Sequence, residues 1–202
     1  MGGIEGMRRR GFLGAGAGAA AIAALAGAGG WLAYDGRDEV YQALVGDVRP
    51  SVLSIAEFAI LDALATTLIT QGKTAPSARQ ARVAERLDKE LSFHPGGQLV
   101  SDVKTALLFI ERAPILDGLG PRFTGLSQAD KARFLQNSLT SPLTLRRTVL
   151  SGVKFLIFFI YYCDDRTWPS IGYGGPQMPE KPFEGGNSIK NLPPLRKTGG
   201  AA

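Results

Sequence analysis

Chemistry in this chain would have to start from very few side chains. His94 is its one imidazole and Cys163 its one thiol. One of each cannot supply an intrachain disulfide, a four-ligand Cys/His zinc site or the C-x-x-C-H that attaches a c-type haem. His94 is the only imidazole base on offer, yet it stands in His94-Pro95-Gly96-Gly97 and reads as a turn residue. Cys163 follows Tyr161-Tyr162 and precedes Asp164-Asp165. Negative charge beside a thiol disfavours the nucleophilic thiolate, so a small buried hydrophobe is the expectation there. Asp164 and Asp165 could form an acid pair, but at the end of an apolar stretch they read as a cap for the turn at Arg166-Thr167-Trp168. Residues 16–21 fit G-x-G-x-x-A, with Asp38 and Glu39 about 20 residues on. A dinucleotide fingerprint needs a buried strand ahead of the glycines, and here three arginines stand there instead. The expectation is therefore no catalytic, cofactor-binding or metal-ligating residue in this chain.

The arginines have another use. Arg9-Arg10-Gly11-Phe12-Leu13 has the form R-R-x-F-L, and no residue from 11 to 34 is charged. A basic start followed by an apolar stretch is the layout of an export signal, and Arg9, Arg10, Phe12 and Leu13 make it one of twin-arginine type. Its apolar part is mostly Gly and Ala, with Ile22 and Leu25 as the only bulk before Trp31. Small residues at Ala24-Leu25-Ala26 and Ala26-Gly27-Ala28 offer cleavage after Ala26 or Ala28, giving a signal peptide over 1–28. An uncleaved anchor is the competing reading, since about 20 apolar residues cross a bilayer. Either way the body faces outward, in the periplasm or tethered to the inner membrane. The twin-arginine translocase moves folded cargo, often cargo that first takes up a cofactor or a partner. This chain shows no cofactor motif, so the pattern points to a subunit that supplies the signal while another chain supplies the chemistry.

Composition narrows the rest. With 202 residues, 45% hydrophobic and 20% charged, the chain suits one ordinary domain plus appendages. The formal charge of +5 owes three positive charges to Arg8, Arg9 and Arg10. The remainder is only weakly basic and carries no basic-aromatic stripe, so nucleic acid is not an expected partner.

Residues 29–53 mix charges with Gly36, Gly46 and Pro50 and read as a linker with room for one helical turn. An all-α domain is expected over 54–173, a compact bundle of about five helices. Ser54-x-x-Glu57 is a capping box opening the first, with Phe58, Leu61, Ala65 and Leu68 on one face. Ser77 caps the second, where Val83, Leu87 and Leu91 recur at i, i+4, i+8. Leu99, Val103, Leu107 and Ile110 mark a third, closed by Pro114. A loop around Arg122-Phe123 follows, then Ser127-x-x-Asp130 opens a fourth. Ser141 as N-cap and Pro142 at the first helical position start the fifth, which runs to about Tyr162. Residues 155–163 are uncharged and too few to span a membrane. They predict a central helix, apolar all round because neighbours surround it; a buried strand is the competing reading.

Arg147, Ser151 and Lys154 fall at i, i+4, i+7 and form a polar stripe. The stripe is either solvated or paired with Asp164 and Asp165, or it docks an acidic partner surface. Trp168 and Tyr173, on a backbone rich in Pro and Gly, fit interface anchors; a core-capping role for Trp168 is the alternative. Residues 174–202 hold six glycines and five prolines, a composition that does not support regular structure. This tail is free or wrapped on something, and Phe183, with Met178, Ile189, Leu192 and Leu195, suits an arm laid into a partner's grooves.

Phe123-x-x-Leu126, Leu145-Arg146-Arg147, Lys154 and the run from Tyr161-Tyr162-Cys163-Asp164-Asp165 through Trp168, Ile171-Gly172-Tyr173 and Gly175-Pro176 resemble the small, twin-arginine-exported subunits grouped with gluconate 2-dehydrogenase subunit 3. Glu57-Phe58, Leu61, Leu64 and Thr67-Leu68-Ile69 are similar to the first helix of that group. The resemblance covers roughly residues 50–176 and departs from the group's pattern at Thr70 and at Cys163-Asp164-Asp165. It implies a non-catalytic accessory subunit that accompanies a flavoprotein dehydrogenase catalytic subunit of glucose-methanol-choline type. The FAD would be held by that partner, in some members beside a cytochrome c subunit. Arg147, Lys154, Trp168, Tyr173 and Phe183 are then the candidate partner-binding residues. A self-sufficient helical ligand-binding protein of the periplasm is the alternative.

Overall fold

A computed structural model describes residues 38–175 apart from 71, 73, 74, 95 and 96. The expected leader and tail, with Arg9, Arg10, Phe12, Leu13 and Phe183, lie outside the described residues. The described residues form six α-helices and two 3-10 helices, with no strand. The helices are α1 (Asp38–Val45), α2 (Ile55–Leu68), α3 (Val83–Ser92), α4 (Gln98–Arg112), α5 (Gln128–Leu139) and α6 (Thr144–Tyr162). One 3-10 helix, Ala113–Asp117, follows α4; the other, Asp165–Ile171, follows α6. The all-α expectation holds here, and the competing strand over 155–163 is replaced by the last turns of α6.

Local caps place several helix starts. Ser54 Oγ accepts from Glu57 N at 3.2 Å while the Glu57 carboxylate accepts from Ser54 N at 2.7 Å, the reciprocal box that opens α2. Ser127 Oγ accepts from Asp130 N in the same way at α5. Ser77 caps too, but only a single turn. Its Oγ accepts from Gln80 N and its N–H donates to Gln80 Oε1, after which Arg82 turns left-handed at φ 51°. The turn therefore breaks, and α3 starts afresh at Val83. Ser141 is likewise not the N-cap of α6. Its Oγ accepts from Leu143 N in a short loop, Pro142 stays outside, and Leu143 is the cap residue.

The centre of the bundle is α2, contrary to the expectation for the fifth helix. Ala56, Phe58, Ala59, Ile60, Leu61, Leu64, Ala65 and Thr67 are buried, covering every side of it, and each of the other five helices touches it. The reason lies in α2's small residues: its three buried alanines, Ala56, Ala59 and Ala65, let neighbours approach closely from several directions. Helix α6 instead packs one side against α3, α4 and α5. Its buried residues are Arg146, Val149, Leu150, Val153, Ile157, Ile160 and Tyr161.

Within the expected linker over 29–53, residues 29–37 lie outside the described residues, and the part from 38 on holds a helix. Helix α1 occupies 38–45 and packs along α2, with Tyr41 only 3% exposed. The tyrosine hydroxyl donates to Glu111 Oε1 at 2.9 Å. Downstream, the N–H groups of Ser51, Val52 and Leu53 all donate to the buried carboxylate of Asp88 on α3. Buried backbone donors need acceptors, and one aspartate satisfies three of them ahead of α2. Phe123 lies in a loop, as expected, yet has no exposure at all; its ring lies 5.6 Å from that of Phe134.

Candidate functional site

Helix α6 carries the features that single out one surface. Its exposed side begins with Thr144, Thr148, Ser151 and Gly152 and continues, at helical spacing, into Phe155, Phe159 and Tyr162. Phe155 is 67% and Phe159 56% exposed, although both belong to the segment expected to be enclosed. The rings order one another. Phe155 and Phe159 stack at 6.1 Å, and Phe158 and Tyr162 stack beside them at 5.9 Å. Two adjacent aromatic ladders thus run up the outer side of the last two turns. Burying one such ring fully releases about 1.5–3 kcal/mol, so a surface that covers both ladders has several kcal/mol to gain.

Helical phase explains why these rings face outward. Val149, Val153, Ile157 and Ile160 carry the buried side, and Phe155, four residues beyond Ser151 and three beyond Gly152, follows those two into solvent, as Phe159 follows Phe155. That phase is present in the sequence. Apolarity of residues 155–163 signals a preference for burial but carries no information about which side is covered within this chain.

Arg147 and Lys154 lie along one edge of the face. The Arg147 guanidinium donates to the Ser141 carbonyl and to Thr144 Oγ1, and the Lys154 ammonium stands 5.8 Å from the Phe158 ring centroid. Among the described residues neither pairs with a carboxylate. Asp164 pairs instead with Arg166 and Arg86, which hold its carboxyl below the usual aspartate range; the hydrogen-bonded Arg166 has the larger effect. Asp164 also accepts from Arg166 N and caps the second 3-10 helix, the role read for it in the sequence.

Trp168 closes the end of α6. Its Nε1 donates to the Tyr162 carbonyl at 2.9 Å and its ring meets Tyr173 edge-on at 5.2 Å. Gly175 sits against the same ring at φ +98°, where an added Cβ would stand 3.2 Å from it. Trp168 therefore braces the corner, whereas Tyr173 and Ile171 stay about half exposed beside it. Cys163 is exposed, not buried, because it is the C-cap residue of α6 and follows Tyr162 onto the outer side.

Gly152 is the oddity of the face. It lies mid-helix with an ordinary negative φ, and a Cβ built on it meets nothing within 4 Å. Glycine in a helix interior costs about 1 kcal/mol relative to alanine. Nothing in the described fold requires that cost.

The remaining polar groups serve the fold. Glu111, 1% exposed, accepts from Tyr41, from Thr124 Oγ1 at 2.6 Å and from Thr124 N at 3.0 Å. Burial pushes its carboxyl up, against those hydrogen bonds and the charge of Arg122. Arg146, buried at the foot of α6, binds both oxygens of Asp117 and donates from Nε to Ser138 Oγ. That fork holds the Asp117 carboxyl below its ordinary range. His94 lies 3.9 Å from Glu90, both about half exposed. Among the described residues no three His, Cys, Asp or Glu side chains gather as metal ligands would. A cleft beside α2 is walled by Leu44, Thr66, Gln128 and Lys131 and by Asp62 and Arg79, which pair with each other at 2.7 Å. No described helix is long and apolar enough to cross a membrane.

Comparison with protein-family models, with curated proteins and with solved structures gives no match.

Proposed function

We propose that this chain is a non-catalytic accessory subunit that binds, stabilises and co-exports a periplasmic FAD-dependent dehydrogenase of glucose-methanol-choline type. The observation that carries the reading is the exposed aromatic face of α6. Stacked rings held in solvent by a rigid helix, with unpaired basic groups along one edge, are the composition of a protein-docking surface rather than of a reaction site. Two features of the sequence supply the rest: the twin-arginine pattern at Arg9-Arg10 and the resemblance over residues 50–176. Several residues behind the resemblance have structural work in this fold, as Phe123, Arg146, Tyr161 and Trp168 do. Arg147, Lys154 and Tyr173 border the docking face, and Trp168 fixes its end. Hydride and electron transfer belong to the partner's flavin.

The test is purification of the tagged full-length chain from its native cell envelope. A copurifying protein with flavin absorbance is expected, joined in some preparations by a cytochrome. Replacing Arg9 and Arg10 by lysine should strand that flavoprotein in the cytoplasm. A chain that purifies alone as a cooperative monomer, or a flavoprotein still exported with the lysine variant, refutes the proposal.

A further inference from the structure

The last described residue stands at one end of the aromatic face. Trp168 Nε1 donates to the carbonyl of Tyr162, the final residue of α6, and Gly175 packs on the Trp168 ring, so the chain leaves the described fold beside the last turn of that helix. It leaves as Pro176-Gln177-Met178-Pro179-Glu180-Lys181-Pro182-Phe183, with prolines three residues apart. Proline holds φ close to the polyproline II value, and that helix has three residues per turn, so Pro176, Pro179 and Pro182 fall along one edge of it. Such an edge binds aromatic-lined surfaces, because a preformed extended strand loses little entropy on docking and its rings pack on aromatic ones. The described fold has a surface of this kind at hand in the two ladders of α6, Phe155 on Phe159 and Phe158 on Tyr162.

We propose that residues 176–183 of this chain's own tail lie along the outer side of α6 in the free subunit, with the proline edge over the two ladders. Lengths agree. At about 3.1 Å per residue, the run from Pro176 to Pro182 spans about 19 Å. From Phe155 to Tyr162 the ladders extend only about 10 Å at about 1.5 Å per residue, so the prolines cross them completely and bring Phe183 to the far end. Tethering favours the tail further. A segment joined to its site by a short link meets it at an effective concentration in the millimolar range, and a contact too weak to form between separate molecules is populated within one. Two other occupants lack this advantage: a second copy meets the face only at its bulk concentration, and residues 1–37 join the fold at α1, which packs along α2. The contact belongs to the free chain and does not rest on the accessory-subunit reading; a flavoprotein that takes the face displaces the tail from it.

The experiment uses the isotope-labelled full-length chain with a single nitroxide, attached at Thr148→Cys after Cys163→Ser removes the one native thiol. Thr148 is exposed on the same side of α6, seven residues before Phe155. The nitroxide should broaden the amide signals of Glu180, Lys181, Phe183 and Glu184 several-fold more than it does in the same chain carrying Phe155→Ser and Phe159→Ser. Pro179→Ala together with Pro182→Ala, both outside the described fold, should reduce the broadening to that same level. Equal broadening in all three chains marks a tail that is only tethered nearby and overturns the proposal. So does broadening of residues 1–37 instead, or broadening that passes between a nitroxide chain and a separate isotope-labelled chain, which puts a second copy on the face. A face that stays open until flavoprotein is added also overturns it. Recovery of flavoprotein from the cell envelope is read separately. Its absence with the broadening present removes the accessory reading and leaves the tail contact; its presence without the broadening does the reverse.

Discussion

Replacing Glu111 by glutamine should change how stability depends on pH, with a sign fixed by the structure. The carboxyl sits at the meeting of α1, α4 and the loop at Thr124, and burial is the largest influence on it, raising its pKa above the ordinary 4.5. A raised folded value means the folded chain holds this proton to higher pH than the unfolded chain does. Its contribution is therefore fully present below the unfolded value and is lost as pH rises through the folded one. One proton limits the slope to about 1.4 kcal/mol per pH unit. Asp117 and Asp164, held low by Arg146 and Arg166, act in the opposite direction, and only as pH falls below about 4. Urea denaturation of wild type and Glu111→Gln at several values from about pH 4 to pH 7, starting below the unfolded value, checks this. Groups common to both proteins cancel in the difference. Wild-type stability minus that of the variant should decline as pH rises; a flat or rising difference would falsify the assignment. Glu111→Ala, by contrast, should cost about 2–5 kcal/mol at any of these pH values, because the N–H and O–H of Thr124 lose their acceptor.

Asp88→Ala should cost about 3 kcal/mol, since three backbone N–H groups at 51–53 lose a buried acceptor. Hydrogen exchange should speed up at residues 51–53 and in α1 before it does in α6. Phe123→Ala should cost about 3–5 kcal/mol in urea denaturation, because its ring is fully enclosed against Phe134. Phe155→Ser and Phe159→Ser should each stay within about 1 kcal/mol of wild type while lowering the subunit's tendency to aggregate. A large loss of stability in either exposed-ring variant would mean that the outer face of α6 is packed within this chain.

What the sequence could reveal depended on how local each cause is. The Ser54–Glu57 and Ser127–Asp130 caps lie within one turn, and both appear where their spacing placed them. The Ser77–Gln80 cap forms as well, but the break at Arg82 depends on tertiary packing and no spacing announces it. Helix α1 was hidden because its burial hangs on Tyr41, whose partner Glu111 lies 70 residues away. The rank order of burial among helices failed for a related reason. Residues 155–163 are richer in large apolar side chains than α2, yet α2's alanines admit neighbours on all sides. Of the candidate residues, Arg147 and Lys154 lie on α6 beside its exposed rings and Tyr173 packs on Trp168 past its end, whereas Phe155 and Phe159, the most exposed rings, belong to a segment whose composition predicts an interior. Counting helical phase outward from Ser151 and Gly152 would have found them.

The way α1 is fastened also sets an order of events during synthesis. Its polar anchor, Glu111 on α4, is made 70 residues after Tyr41, and the Asp88 that holds the backbone of 51–53 also comes later than the segment it holds. Until those segments have been added, the Tyr41 hydroxyl lacks the Glu111 acceptor and α1 has only the surface of α2 to rest on. Its docking is then one of the later steps by which the nascent polypeptide reaches its finished shape, long after residues 1–28 have emerged.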